Sequence, residues 1–239
     1  MLKIFHFFLS IIEFNYKRKL LIELTKRCSN KINTFFDVGA HYGETSLWLN
    51  KKIDIKEIHL FEPNVISFNK LKKSLSRKLN DKKLFFYNFA LGDNDHFSNL
   101  NEVIESSSST INKINIDSKY YKRKKRILEL FNIKDAISAK KIKIVNTSNF
   151  LKLKEIKYID LLKIDTEGYE YKILKNIDSY LKNIKVILFE HHYDLMIIKN
   201  YKFSDIDYLL KKNNFVKVYK AKMLFRKSFE YIYINTKQT

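Results

Sequence analysis

The stretch Thr34-Phe35-Phe36-Asp37-Val38-Gly39-Ala40-His41-Tyr42-Gly43-Glu44-Thr45-Ser46 decides the fold. An apolar run ends in an acid, two glycines follow, and a helix can then start. That order describes a buried parallel strand, a tight turn and a helix N-terminus. Glycine carries no Cβ, so such a turn lets backbone N–H groups come close to a ligand. The aspartate falls where the strand stops, at the edge where open α/β sheets bind small molecules. The chain has 4 glycines in 239 residues, whereas an average chain is about 7 % glycine. A sequence this poor in glycine should keep it where the backbone demands it, and Gly39 and Gly43 are two of the four.

The rest of the composition frames that motif. A chain of 239 residues with 45 % hydrophobic and 30 % charged residues is globular and long enough for one large α/β domain. The net charge is +20, but only six of the 46 basic residues are arginine. Nucleic-acid readers lean on arginine for bidentate contacts, so two readings of the charge stand: solvated lysine faces, or an anionic partner. Cys28 is alone, which leaves no disulfide framework or thiolate metal site and suits a reducing, cytoplasmic setting. Residues 1–14 are apolar but too short to span a bilayer, and Lys17-Arg18-Lys19 follows without a cleavage site. This segment reads either as a helix docked on the domain or as a peripheral membrane helix.

Taken in order, the chain alternates strands and helices. An N-terminal helical segment (1–30) precedes a domain spanning 31–239. Strands are expected at about 33–38, 57–61, 83–90, 141–145, 159–165, 185–190, 215–219 and 230–234. Helices are expected at about 15–30, 43–51, 65–79, 150–156, 168–181 and 203–213. Residues 94–140, with the run Ser106 to Thr110 and the basic stretch Lys119 to Arg126, read as a loop-rich insertion with room for a short hairpin and a helix. The pattern predicts a doubly wound, mostly parallel α/β sheet with helices on both faces, and an antiparallel pair at its end.

Four strands end in acids: Asp37, Glu62, Asp165 and Glu190. Right-handed crossovers bring all four to one rim. Glu62 stands one strand–helix–strand unit after the glycine turn, where an acid accepts hydrogen bonds from a ribose diol. The turn lacks the G-x-G-x-x-G spacing of nicotinamide enzymes, and a phosphate-cradling Lys-Ser/Thr loop is missing. A nucleoside without a pyrophosphate is therefore the expected ligand, and S-adenosylmethionine is one.

These residues carry a resemblance. Phe36-Asp37-Val38-Gly39-Ala40-His41-Tyr42-Gly43-Glu44-Thr45-Ser46, Phe61-Glu62-Pro63-Asn64, Ala90-Leu91-Gly92-Asp93 and Asp160-Leu161-Leu162-Lys163-Ile164-Asp165-Thr166-Glu167-Gly168-Tyr169-Glu170 resemble the FkbM family of S-adenosylmethionine-dependent methyltransferases. All four glycines and the single proline fall inside these motifs. The resemblance implies a Rossmann-like class I methyltransferase fold with a seven-stranded sheet. It also implies O-methylation of a hydroxyl on a sugar, glycan or other natural product. By position, Asp37, Gly39, Ala40, His41 and Gly43 would line the methionine part of the cofactor. Glu62 would bind the ribose with Asn64 beside it, Asn88 to Ala90 would lie near the adenine, and Asp165 and Glu167 would face the methyl. The family usually has Asn where His41 stands and a small residue at Tyr169.

A base beside the acceptor hydroxyl would be His191 or His192, which follow the strand ending at Glu190, or Asp165. No ligand spacing demands a metal, and none is expected. Nucleic-acid methylation is the rival reading, motivated by the charge. It is disfavoured because a base-gripping aromatic and proline turn is missing after Ile164. A non-catalytic nucleoside-binding module is the other rival. The acceptor pocket should come from residues 94–140 and the loops after the last strands.

Overall fold

The computed structural model describes residues 18–28, 31–103, 109–130, 137–223 and 227–238. The expectations for residues 1–14 and for Ser106 to Ser108 fall outside them. The first described element is a helix over residues 18–28, α1, whose Leu20, Leu21, Leu24 and Cys28 are buried. Burial pushes the Cys28 thiol up to about 12, so it behaves as a small core residue.

The centre is a seven-stranded sheet. β1 (Lys31–Val38), β2 (Asp54–Phe61), β3 (Lys83–Tyr87), β8 (Ile159–Ile164) and β9 (Ile184–His192) are joined by parallel pairings in the spatial order β9-β8-β1-β2-β3. β11 (Ser228–Asn235) lies antiparallel to β9, and β10 (Phe215–Lys222) closes the edge antiparallel to β11. Strands buried on both faces need no polar alternation. In β8 and β9 successive residues therefore feed two separate cores. Phe36, Leu162, Ile187 and Phe189 pack with α5 (Thr147–Leu153), α6 (Glu170–Asn176) and α7 (Phe203–Lys212). Phe35, Leu161, Val186 and Leu188 pack with α1, α2 (Glu44–Leu49) and α3 (Val65–Lys78).

Two expectations change. The strand foreseen over 83–90 breaks in two. β3 stops at Tyr87, and Ala90–Gly92 becomes β4 of a second sheet. The segment read as loop-rich contributes β5 (His96–Val103), β6 (Ser109–Thr110), the helix α4 (Lys119–Leu130) and the start of β7 (Ile137–Asn146), in the order β4-β7-β5-β6. β7 pairs antiparallel with β5 and parallel with β4, so the strand foreseen at 141–145 belongs to this sheet. Likewise the helix foreseen over 168–181 is α6 followed by a 3-10 helix, Asp178–Asn183.

Candidate active site

The four acids stand at the ends of four adjacent parallel strands, in the order Glu62 (β2), Asp37 (β1), Asp165 (β8) and Glu190 (β9). Backbone hydrogen bonds tie these ends together. Gly39 and Ala40 N–H groups donate to the Phe61 carbonyl, both at 3.0 Å, and Asp165 N–H donates to the Val38 carbonyl at 2.9 Å.

The glycines do something other than open room for a ligand. At Gly39 (φ +77°) a Cβ would sit 1.9 Å from the Asp165 carbonyl oxygen, so the turns after β1 and β8 pack backbone on backbone. At Gly43 (φ +85°), the N-cap of α2, a Cβ would come within 2.8 Å of Leu71 and Leu75 on α3. Both positions adopt backbone that a side chain disfavours, and both let elements pack closely.

On the β1–β2 half, donors hold every acid. Asp37 is fully buried. Ser46 Oγ donates to its Oδ2 at 2.7 Å, and Lys163 Nζ lies 3.1 Å from its Oδ1. A carboxylate enclosed in this way organises the turn rather than presenting itself to the methionine part of a ligand. Glu62 accepts from His41 N–H at 2.8 Å through Oε2 and from Asn64 N–H at 2.9 Å through Oε1. Burial pushes its carboxyl up to about 7, against the pull of those two amides. Asn64 caps α3, accepting from Ile66 and Ser67 N–H, and its amide donates to Glu102 of β5. Asn88 Nδ2 donates to the Glu62 and Pro63 carbonyls. Ala40 and Ala90 are buried in the two cores. The Gly43 N–H donates to the Ala40 carbonyl at 2.8 Å and closes the turn, in which His41 is a central residue with its Nδ1 3.0 Å from Glu44 Oε1.

The β8–β9 half is crowded with charge. Lys163, between the buried Leu162 and Ile164 of β8, donates to the Gly39 carbonyl at 2.9 Å and reaches both Asp37 and Asp165 Oδ2, the latter at 3.6 Å. Burial opposes its charge, but the two aspartates prevail and raise its pKa. Sequence reasoning passed over this residue. The signal was a lone lysine in Asp160-Leu161-Leu162-Lys163-Ile164, which a buried strand keeps only if it has partners. His192 Nε2 lies 2.9 Å from Glu167 Oε2 and 3.3 Å from Glu190 Oε1, and its Nδ1 is 3.8 Å from Asp194 Oδ2. Burial disfavours the charged ring, yet Glu167, Asp194 and Glu190 outweigh it and raise the pKa well above the usual value. Glu190 is pushed up to about 8 by burial and by Asp165. His191 points the other way, into Tyr193, Tyr201 and Phe203 with Lys199 Nζ 3.5 Å from its Nε2. Burial and Lys199 push it down to about 3.

The expectation that either histidine serves as base needs correcting. Glu167, Asp194 and Glu190 around His192 favour its charged form, which has no lone pair to take a proton. His191 is neutral but lies beneath aromatic rings, 3 % exposed. Asp165 remains, with a side chain 36 % exposed.

The turn after β8 is held from beneath by a residue that the sequence did not single out. Glu170 accepts from the Thr166 hydroxyl at 3.1 Å, from Gly168 N–H at 2.8 Å and from Tyr201 OH at 2.5 Å. From above, Thr110 donates to the Glu167 carbonyl and Asn112 to the Gly168 carbonyl, each at 2.7 Å. The inserted sheet therefore clasps the rim. A cleft of about 50 Å³ lies beside it, lined by Glu44, Thr45, Trp48, Lys163, Asp165 and Glu230 among others. Among the described residues no group of three or more His, Cys, Asp or Glu side chains is placed to hold a metal ion.

Comparison with known proteins agrees with this fold. The family model described as the methyltransferase FkbM domain matches residues 37–217. Among solved structures, magnesium protoporphyrin IX methyltransferase from Synechocystis PCC 6803, with bound SAM, is 8 % identical. It matches with a TM-score of 0.52 over 92 % of this chain and 77 % of its own. TrmK of M. capricolum matches at 12 % identity and a TM-score of 0.49, over 90 % of this chain and 68 % of its own. The FkbM methyltransferase of Methylobacillus flagellatus KT matches at 13 % identity and 0.49, over 84 % of this chain and 44 % of its own. No curated protein matches. Likeness at such low identity shows a shared Rossmann-like class I fold, while the family model spans most of the chain. The chain belongs to the FkbM family of S-adenosylmethionine-dependent methyltransferases.

Proposed function

We propose that the enzyme methylates a hydroxyl on a sugar, glycan or other natural product, with Asp165 taking the hydroxyl proton. The observation that carries this reading is the order of acids along one sheet edge, with Glu62, read as the ribose acceptor, two strands from Asp165.

The residues present suit the cofactor. Each Glu62 oxygen accepts one backbone N–H and keeps a lone pair for a hydroxyl donor. Glu44 and Glu230 in the cleft beside Lys163 offer both signs of charge to an amino-acid end group. When bound, S-adenosylmethionine supplies an electrophilic methyl on a sulfonium with a good leaving group. The chain's task is then alignment, which brings reacting atoms to about 3–3.5 Å contact. The Glu170 and Thr110 contacts fix the turn that carries Asp165 and Glu167, so their carboxylates do not reorganise during transfer. Asp165 accepts the proton from the acceptor hydroxyl. His192, whose charged form its carboxylate neighbours favour, lies 2.9 Å from Glu167 and offsets its charge.

A carboxylate-rich acceptor side, with Asp165, Glu167, Glu190 and Asp194, favours hydroxyl-bearing molecules over polyphosphates. The test uses methyl-labelled S-adenosylmethionine with a panel of hydroxylated saccharides and polyketides. Label should enter one class of acceptor. Asp165→Asn should lower kcat by ~100-fold with cofactor affinity kept. Label entering nucleic acid alone, or an unchanged kcat in Asp165→Asn, would overturn the reading.

A further inference from the structure

The acceptor side carries a second feature that methyl transfer does not use. α4 is preceded by Ser118, whose hydroxyl accepts from Tyr121 N–H at 3.1 Å and caps it. Lys119, Lys122, Arg123 and Arg126 follow at helical spacing, and all four are exposed, as is Lys125. Two of the chain's six arginines sit here. Glu129 is the one acid within the helix, and Asp117 just before it pairs with Lys122 at 3.0 Å.

The underside of α4 is anchored beside the rim. Tyr121 is buried against Met196 and Ile197, and Ile114 and Ile197 form a short antiparallel bridge. Bonds from Asn115 N–H to the Met196 carbonyl (2.7 Å) and from Ile198 N–H to the Lys113 carbonyl (2.9 Å) lock it. The same bridge abuts the turn after β8, because a Cβ on Gly168 would meet Ile197 and Asn112, each at 2.8 Å.

Around this bridge three aliphatic side chains stand in solvent: Ile116 at 55 %, Leu195 at 76 % and Ile198 at 53 % exposure. Leu195 also has φ +60°, a conformation costly for a residue with a Cβ. The turn that holds this leucine out is closed by Met196 N–H donating to Asp194 at 3.0 Å. Basic side chains beside exposed aliphatic tips are what an anionic bilayer surface selects. The charges meet the headgroups and the tips enter the acyl boundary. A single-stranded nucleic acid would call for exposed aromatic platforms instead.

We propose that α4 and the Ile114–Ile197 bridge form a docking face for an anionic lipid surface, with Leu195, Ile198 and Ile116 inserted and the α4 cations on the headgroups. Docked this way, the Asp165 end of the rim lies next to the bilayer. Among the described residues no helix is long and apolar enough to cross a membrane, so this is a surface contact. The segment that sequence alone pointed to, residues 1–14, lies outside the described residues.

Flotation of the full chain with phosphatidylcholine vesicles, with and without phosphatidylglycerol, tests the face. Binding should require phosphatidylglycerol and weaken with salt. Leu195→Asp with Ile198→Asp should weaken it by about 10-fold. Lys122→Glu, Arg123→Glu and Arg126→Glu together should weaken it by at least ~100-fold. The matched reversal on α3, at exposed Lys72, Lys73 and Arg77, should change it by less than about 3-fold. All three variants alter exposed side chains and should melt like the parent. The proposal is overturned if the parent ignores phosphatidylglycerol vesicles, if the α3 reversal weakens binding as much as the α4 reversal, or if the aspartate pair binds like the parent. It is also overturned if single-stranded RNA outcompetes the vesicles for α4.

Discussion

The two halves of the acidic rim solve opposite problems. On the β1–β2 side, Asp37 and Glu62 are each met by donors fixed in the turn, in α2 or on Lys163, so the half is set before anything binds. On the β8–β9 side, Glu167, Glu190 and Asp194 crowd the ring of His192, and burial and Asp165 push the Glu190 carboxyl up to about 8. The first arrangement suits recognition of a fixed nucleoside. The second keeps charge under tension where a reaction moves a proton. Lys163 and Gly39 are where the halves touch.

Substitutions at that junction should have the largest effects. Gly39→Ala forces a methyl onto the Asp165 carbonyl at positive φ, and urea unfolding should show a loss above about 4 kcal/mol. A tolerated alanine would mean that the halves can part. Lys163→Met keeps the volume but leaves Asp37 and Asp165 without their cation, at a cost of about 3–5 kcal/mol.

The halves should also answer alkali differently. Glu190 and His192 both have folded values above their unfolded ones, so the stabilisation they give is complete at low pH and falls as pH rises. Glu62 follows the same sign but is finished near pH 7. Above that, the fall in Tm belongs to the β8–β9 half, and Glu190→Gln should flatten it up to about pH 8. Cofactor affinity should do the reverse. Ribose hydroxyls need the ionised Glu62, so affinity rises through about pH 7 and levels off. The smallest effect is expected from Tyr201→Phe, which removes one donor from Glu170 and should cost about 1.5 kcal/mol in thermal melts.

What the sequence could convey was set by local chemistry. Apolar runs ending in Asp37, Glu62, Asp165 and Glu190 mark parallel strands whatever surrounds them, so the sheet and its edge were legible. The role of the glycines was not, because what presses on Gly39 is the Asp165 carbonyl, a partner 126 residues away. The inserted sheet was legible only as a loop-rich insertion with room for a short hairpin and a helix, for a related reason. β5 and β7 pair across about 40 residues, and Thr110 and Asn112 act on the rim through backbone carbonyls that no motif records. The histidines illustrate a further limit. His191 and His192 are chemically identical neighbours in the sequence, and only their opposite faces make one neutral and the other charged.

The central claim is that Glu62, on the β1–β2 half, carries affinity for S-adenosylmethionine and that Asp165, on the β8–β9 half, does not. Calorimetric titration of that cofactor into the parent, Glu62→Gln and Asp165→Asn enzymes tests it most directly. The parent and Asp165→Asn should bind alike, and Glu62→Gln at least ~10-fold more weakly. A parent that takes up no cofactor, or a Glu62→Gln enzyme that binds as tightly as the parent, would contradict it.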